Sequence, residues 1–147
     1  MIGVRLGEWN LSTNPDCDES FVNEKVCNDP VFDVGIEQQI IHDKYLPQSF
    51  NQHNDIALLR MSQKVRFSEF IKPICLPSAS SENLIGKALT VVGFGKTETA
   101  LSSNVKLKAF LSVVDTEKCN QVFRFEGRKA IDTQICAGGV KNVDSCR

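Results

Sequence analysis

Six cysteines and two histidines are the residues of this chain best suited to chemistry: Cys17, Cys27, Cys75, Cys119, Cys136, Cys146, His42 and His53. Thiolates and imidazoles bind zinc, and thiols also pair as disulfides. A structural zinc site draws its ligands in close pairs, because one turn must present both to a tetrahedral ion. No two cysteines here are spaced Cys-x-x-Cys, so the spacing argues against zinc. The even count points to disulfides and an oxidising compartment. Spacing alone does not choose among the connectivities that six cysteines allow.

Length and charge bound the rest. The chain has 147 residues, one domain's worth by the usual prior of roughly 100–200. Seventeen Lys and Arg face 18 Asp and Glu, a net charge of -1. No excess positive charge exists to displace counterions, which excludes electrostatic binding to nucleic acid or an acidic membrane as the main activity. Apolar residues make up 41%, enough to fill a core. No apolar run reaches the roughly 18 residues of a membrane-spanning helix. The first residues, Met1-Ile2-Gly3-Val4-Arg5-Leu6-Gly7-Glu8, have no basic leader before an apolar stretch, so no signal peptide is expected in this chain.

The elements that must position these residues are short. Residues 4–9 alternate apolar and polar and predict a strand. Residues 12–30 are polar, with turns at Asn14-Pro15-Asp16 and Asn28-Asp29-Pro30. A Cys17–Cys27 bridge would close this surface loop and add roughly 2–3 kcal/mol in the chain-entropy picture. Residues 34–41 predict a second strand, and 55–61 a compact apolar strand of buried type. Pro73-Ile74-Cys75-Leu76-Pro77 is excluded from a central strand, since proline lacks a backbone donor. Residues 78–83 read as a connector. Strands follow at 88–95 and 105–111. Residues 115–123 are the single helix, with Asp115 as its cap and acidic residues in its first turn. Residues 131–137 predict a last strand before the Gly138-Gly139 turn. Short strands, one helix and a central connector predict an all-β protein in two halves.

Four segments carry a resemblance. Asn54-Asp55-Ile56-Ala57-Leu58-Leu59 resembles the segment bearing the catalytic aspartate of chymotrypsin-fold serine proteases. Pro73-Ile74-Cys75-Leu76-Pro77 resembles the stretch where the two barrels of that fold join. Val92-Gly93-Phe94-Gly95 is similar to the family's Gly-Trp-Gly turn, with Phe94 in place of Trp. Gln134-Ile135-Cys136-Ala137-Gly138-Gly139 and Asp144-Ser145-Cys146-Arg147 resemble the run leading to the catalytic serine. All four stand in the family's order and spacing, and together they cover essentially the whole chain. Leu6-Gly7-Glu8-Trp9 and the loop after it resemble the arthropod clip-domain proteases.

The resemblance implies a fold, a site and partners. The fold would be an incomplete double six-stranded antiparallel β-barrel with one short helix. Residues 1–77 would form the later part of the first barrel, 78–87 the connector, and 88–147 the first part of the second. The family's histidine segment and its Gly-Asp-Ser-Gly-Gly-Pro run are not in this sequence, so the chain resembles the middle of a protease domain. Asp55 would be the triad aspartate, which orients the histidine and stabilises the imidazolium. Asp144 would sit at the base of the specificity pocket and pair with an Arg or Lys side chain, with Ser145 beside it. His42 and His53 fall outside the family's histidine segment and are expected to be loop histidines. Cys17 would bridge Cys27, and Cys119 would bridge Cys136. Cys75 and Cys146 would pair with cysteines outside this sequence.

The loop after Glu8 binds calcium in some relatives, which makes Glu8 and Asp16 candidate ligands; calcium takes six to eight oxygens. Asn10-Leu11-Ser12 is an N-glycosylation sequon. No cofactor is required for catalysis in this family. The implied protein is a secreted endopeptidase cleaving after Arg or Lys in an immune or developmental zymogen cascade. Its partners would be a zymogen substrate and a serpin-type inhibitor. The fragment itself is expected to be inactive. The alternative is a non-catalytic homologue acting as adaptor or cofactor. A third reading, a free-standing binding protein, would leave open sheet edges and exposed apolar faces.

Overall fold

The computed structural model describes residues 3–18, 25–77, 83–97 and 99–138. Seven strands and one helix follow in order: β1 (Gly3–Leu6), β2 (Cys17–Asp18), β3 (Val26–Cys27), β4 (Phe32–Ile41), β5 (Ala57–Met61), β6 (Ala88–Gly93), β7 (Leu107–Ser112) and α1 (Thr116–Phe123). A single turn of 3-10 helix, Arg124–Glu126, continues from α1.

The first sheet has the order β1-β4-β5 and is antiparallel throughout. Its central strand β4 is ten residues long. The first part of β4 pairs with β1 from Gly35↔Gly3 to Phe32↔Leu6. The later part pairs with β5 from Ile36↔Met61 to Ile41↔Ala57, with a register shift between Ile36 and Gln38. β1 is shorter than residues 4–9 because Gly7 takes a φ of 76°, a left-handed turn that glycine adopts without a Cβ penalty. Arg5 on β1 grips Asp33 on β4 with two hydrogen bonds of 2.8 and 2.9 Å. That grip raises the Arg5 pKa and lowers that of Asp33.

β2 and β3 pair at Cys17↔Cys27, and these two cysteines are bonded. β6 and β7 pair antiparallel from Ala88↔Ser112 to Gly93↔Leu107. The two parts of the chain meet at the Asn10↔Val105 bridge. Leu11 N donates to Asn104 O at 2.8 Å, and Lys106 N to Trp9 O at 2.8 Å. The Phe94 ring lies under Lys106 Nζ, 5.9 Å from its centroid.

Helix α1 starts where its cap predicts. Asp115 is extended and its Oδ1 accepts from Glu117 N at 2.7 Å, satisfying one orphan donor of the first turn. Gly127, at φ 69°, ends the 3-10 turn in the left-handed region and releases the chain toward residue 128.

Two expectations are corrected. Residues 131–137 do not form a strand. Gln134 closes a turn instead, its N–H donating to Ile131 O and its side-chain oxygen accepting from Ile131 N. Only Ala137 reaches a strand end, through its bridge to Val113. The apolar run 55–61 is strand only from Ala57, and it is not buried: Ile56 is 62% and Leu58 65% exposed. β5 is an edge strand, and its apolar side chains have no layer packed over them among the described residues.

Exposure is general. The buried apolar side chains among the described residues are Val34, Leu111 and Val113. The accessible surface is 12483 Å², against about 7,500 Å² for a compact monomer of this mass. Backbone ladders, more than a shared core, hold these elements in place. Expressed alone, the 147-residue chain is therefore expected to bind the dye ANS and to unfold over a broad temperature range. A sharp cooperative transition of monomeric material, measured by calorimetry, would overturn this.

Candidate functional site

A cleft of about 570 Å³ opens between the β4–β5 connection and the segment after α1. His42, Asp55 and Ile56 line one wall; Phe123, Lys129 and Gln134 line the other. The walls come from sequence positions more than 60 residues apart, roughly, so the cleft is a product of tertiary structure.

Asp55 sits just before β5, and its place is set by backbone bonds. His42 N donates to Ile56 O at 3.1 Å, one step beyond the last β4–β5 pair. Asn54 takes a φ of 57°, a left-handed conformation that asparagine tolerates better than most residues. Its Nδ2 donates to Lys44 O at 3.3 Å, and Ile56 N donates to Asn54 O at 2.8 Å. The Asp55 side chain is exposed.

The far wall is held by side chains gripping the backbone of two successive residues. Lys129 N donates to Asn51 Oδ1 at 2.6 Å, and Lys129 O pairs with His53 Nε2 at 2.6 Å. A carbonyl only accepts, so His53 Nε2 carries the hydrogen. Ala130 N donates to Asn120 Oδ1 at 2.7 Å, and Asn120 Nδ2 donates to Ala130 O at 3.2 Å. Asn120 lies on α1 beside Cys119, which is bonded to Cys136. Val114 N donates to Cys136 O and Gly138 N to Ser112 O, which ties this segment to the end of β7.

His42 and His53 are both loop residues. His42 Nδ1 accepts from Lys44 N at 3.1 Å, a local turn bond. His53 is committed to Lys129, so its Nε2 is a donor rather than a base. Cys75 is a free, exposed thiol. Asp144, Ser145 and Cys146 lie outside the described residues.

Glu8 and Asp16 are both buried to within 6% of full burial. Asp16 is the hub of its loop. Its Oδ2 accepts from Trp9 N at 3.0 Å and Asn10 N at 2.9 Å, and its Oδ1 accepts from the Thr13 hydroxyl. The Thr13 bond is the main cause of a lowered Asp16 pKa, opposed by burial and assisted by the Asn10 and Trp9 amides. Glu8 Oε2 faces Arg5 Nη1 at 3.5 Å, while Glu8 Oε1 has no hydrogen-bond partner among the described residues. Among the described residues, no group of three or more His, Cys, Asp or Glu side chains is arranged to hold a metal ion. Asn10 Oδ1 accepts from Ser12 N at 3.1 Å, within the sequon.

Comparison with known proteins identifies the arrangement. Residues 19–147 match the family described as Trypsin. The chain belongs to that family. Melanization protease 1 of Drosophila melanogaster is 47% identical over 150 aligned residues, covering 100% of this chain and 38% of that protein. CLIP domain-containing serine protease HP8 of Bombyx mori is 44% identical, covering 98% of this chain and 38% of that protein. The crystal structure of the Drosophila Grass clip serine protease of the Toll pathway superposes with a TM-score of 0.79 at 37% identity, covering 94% of this chain and 38% of that one. The chain thus has the chymotrypsin-like all-β fold and resembles the insect clip-domain members of the trypsin family. It spans about two-fifths of the length of these relatives.

The motif reading does not reach Asn51, Asn120, Lys129 or Ala130. No local signal marks them, because the groups gripped at 129 and 130 are peptides that every residue carries.

Asp16 offers a direct test. Its folded-state pKa lies below the ordinary 3.8. The ionised carboxylate therefore stabilises the loop at pH above that value, and the contribution is lost as pH falls through the depressed folded pKa. Fluorescence of Trp9, the chain's single tryptophan, is expected to stay constant from pH 7 to about pH 4 and to change below it. In Asp16→Ala, the Trp9 and Asn10 amides are expected to exchange hydrogen about tenfold faster or more, the equivalent of about 1–3 kcal/mol for orphaned donors.

Proposed function

We propose that the protein containing this chain is a secreted trypsin-like serine endopeptidase that cleaves protein substrates after Arg or Lys. The observation that carries this reading is the position of Asp55, on the wall of an open cleft between two parts of a trypsin-family chain.

The chemistry is acyl transfer. Asp55 would hold the family's histidine in one tautomer and stabilise the imidazolium formed when the serine gives up its proton. A carboxylate is needed there because an amide supplies neither the charge nor the fixed acceptor. Asp144 and Ser145 would receive the Arg or Lys side chain before the scissile bond, through a desolvated charge-assisted pair. Residues 1–77 and 88–147 would belong to successive barrels, with 78–87 joining them. Cys75 and Cys146 would bond to cysteines beyond this sequence, and Asn10 would be a glycan acceptor.

Support for a cascade role comes from the relatives. One is named a melanization protease and another is a clip serine protease of the Toll pathway. We infer a zymogen as substrate and a serpin-type protein as inhibitor. No helix among the described residues is long and apolar enough to cross a membrane. Calcium has one supporting feature, the unpaired Glu8 Oε1 in the Asp16 loop. No step of the reaction runs through it, and both Asp16 oxygens already accept hydrogen bonds.

The test uses protein expressed from the whole coding sequence and activated. It should hydrolyse Arg and Lys ester substrates and leave neutral ones. Asp55→Asn is expected to lower kcat by about 10⁴-fold, the scale found for triad aspartates. Asp144→Ser should abolish the preference for basic side chains. The 147-residue chain alone should show no hydrolysis. A full-length protein that binds partners but never hydrolyses these esters would favour a non-catalytic homologue.

A further inference from the structure

We propose that Asn51 and His53 are positioning residues: together they latch the loop bearing Asp55 onto the Lys129 backbone and so hold the aspartate at the cleft. This inference rests on the protease reading above.

The latch has two points on the backbone of one residue. Asn51 Oδ1 takes the Lys129 N–H and His53 Nε2 donates to the Lys129 carbonyl, both at 2.6 Å. These two groups belong to successive peptide planes, 128–129 and 129–130, on either side of the Lys129 Cα, so the two bonds hold the backbone at that residue where one bond would leave it free to rotate. The residues joined are 78 and 76 apart in sequence. The latch therefore closes a long excursion of chain and is not a by-product of local turn geometry.

The peptide that receives the latch is itself anchored. The 129–130 peptide, whose carbonyl His53 takes, gives its Ala130 N–H to Asn120 Oδ1, and Ala130 O accepts from Asn120 Nδ2 of α1. The disulfide Cys119–Cys136 then secures α1 to the segment that meets the end of β7. Force on the Asp55 loop thus passes through Lys129 and Ala130 into the helix and the second sheet.

The loop needs such an anchor. Gln52 and Asn54, which flank His53, have φ values of 48° and 57°. A glutamine in the left-handed region persists only where its surroundings over-determine it. Asp55 follows two residues after His53, exposed and outside any packed layer. Packing does not fix it, so hydrogen bonds must. A carboxylate displaced by about 1 Å from its productive place costs up to about 10²-fold in rate.

His53 acts as a donor and Asn51 as an acceptor, so the conservative variants differ. His53→Gln keeps a donor and Asn51→Asp keeps an acceptor; His53→Leu and Asn51→Leu keep neither. In the full-length activated protein, His53→Leu and Asn51→Leu are expected to lower kcat for an Arg ester by about 10- to 100-fold, with KM changed less than about threefold. The conservative pair should stay within about threefold of the parent. Hydrogen exchange, followed by mass spectrometry, supplies a readout independent of activity. Peptides covering residues 51–56 and 124–135 should exchange faster in the two Leu variants and not in the conservative ones.

Unchanged exchange in both Leu variants would overturn the latch. Faster exchange with unchanged kcat would overturn the positioning role, leaving a purely structural contact. A wild-type full-length protein without ester hydrolysis would overturn the protease reading and the positioning role with it, and the exchange data would still decide whether the latch exists.

Discussion

The backbone groups of two adjacent residues, Lys129 and Ala130, join the walls of the cleft. Neither lies in a strand or helix, so no ladder supplies partners for their N–H and C=O groups. Side chains from two different parts of the chain do so instead: Asn51 and His53 from the Asp55 loop, Asn120 from α1. The Ala130 groups are part-buried and must be hydrogen-bonded, because leaving one unpaired costs about 1–3 kcal/mol, whereas the bonds to exposed Lys129 replace bonds to water.

Elsewhere the structure relies on the same kind of interaction. The described residues bury few apolar side chains, and the sheets present apolar faces to solvent. The elements are nonetheless defined, because antiparallel ladders fix register through backbone bonds alone. The long strand β4 serves both β1 and β5, so the loops at its two ends share one frame. The short contacts of residues 9–12 with 104–106 tie that frame to the second sheet.

The Asp16 loop shows the polar version of this economy. A carboxylate takes three hydrogen bonds and folds the turn around itself. Its ionised form is favoured by those donors against the cost of burial. The Cys17–Cys27 bond closes the next, mostly polar stretch of chain.

Local chemistry was readable from the residues. Asp115 before an acidic turn marks the start of α1, and the apolar run at 88–95 and the alternation at 105–111 mark β6 and β7, because these signals concern neighbours in the chain. The motifs around Asp55 and Cys136 marked the family for a similar reason: they are short runs whose order survives without coordinates. The run at 131–137 misled, since its apolar residues suit a strand while Gln134 closes a turn by bonding Ile131. The run at 55–61 has the composition of a buried strand, but burial depends on what packs above β5, which composition does not state. The part that some residues play in holding the cleft together was not legible. Asn51, His53 and Asn120 act on peptide groups far along the chain, and a peptide group carries no residue-specific mark. Sequence determined the family, the elements and the candidate chemistry; tertiary structure alone decided which backbone groups meet, because that depends on distance in space rather than along the chain.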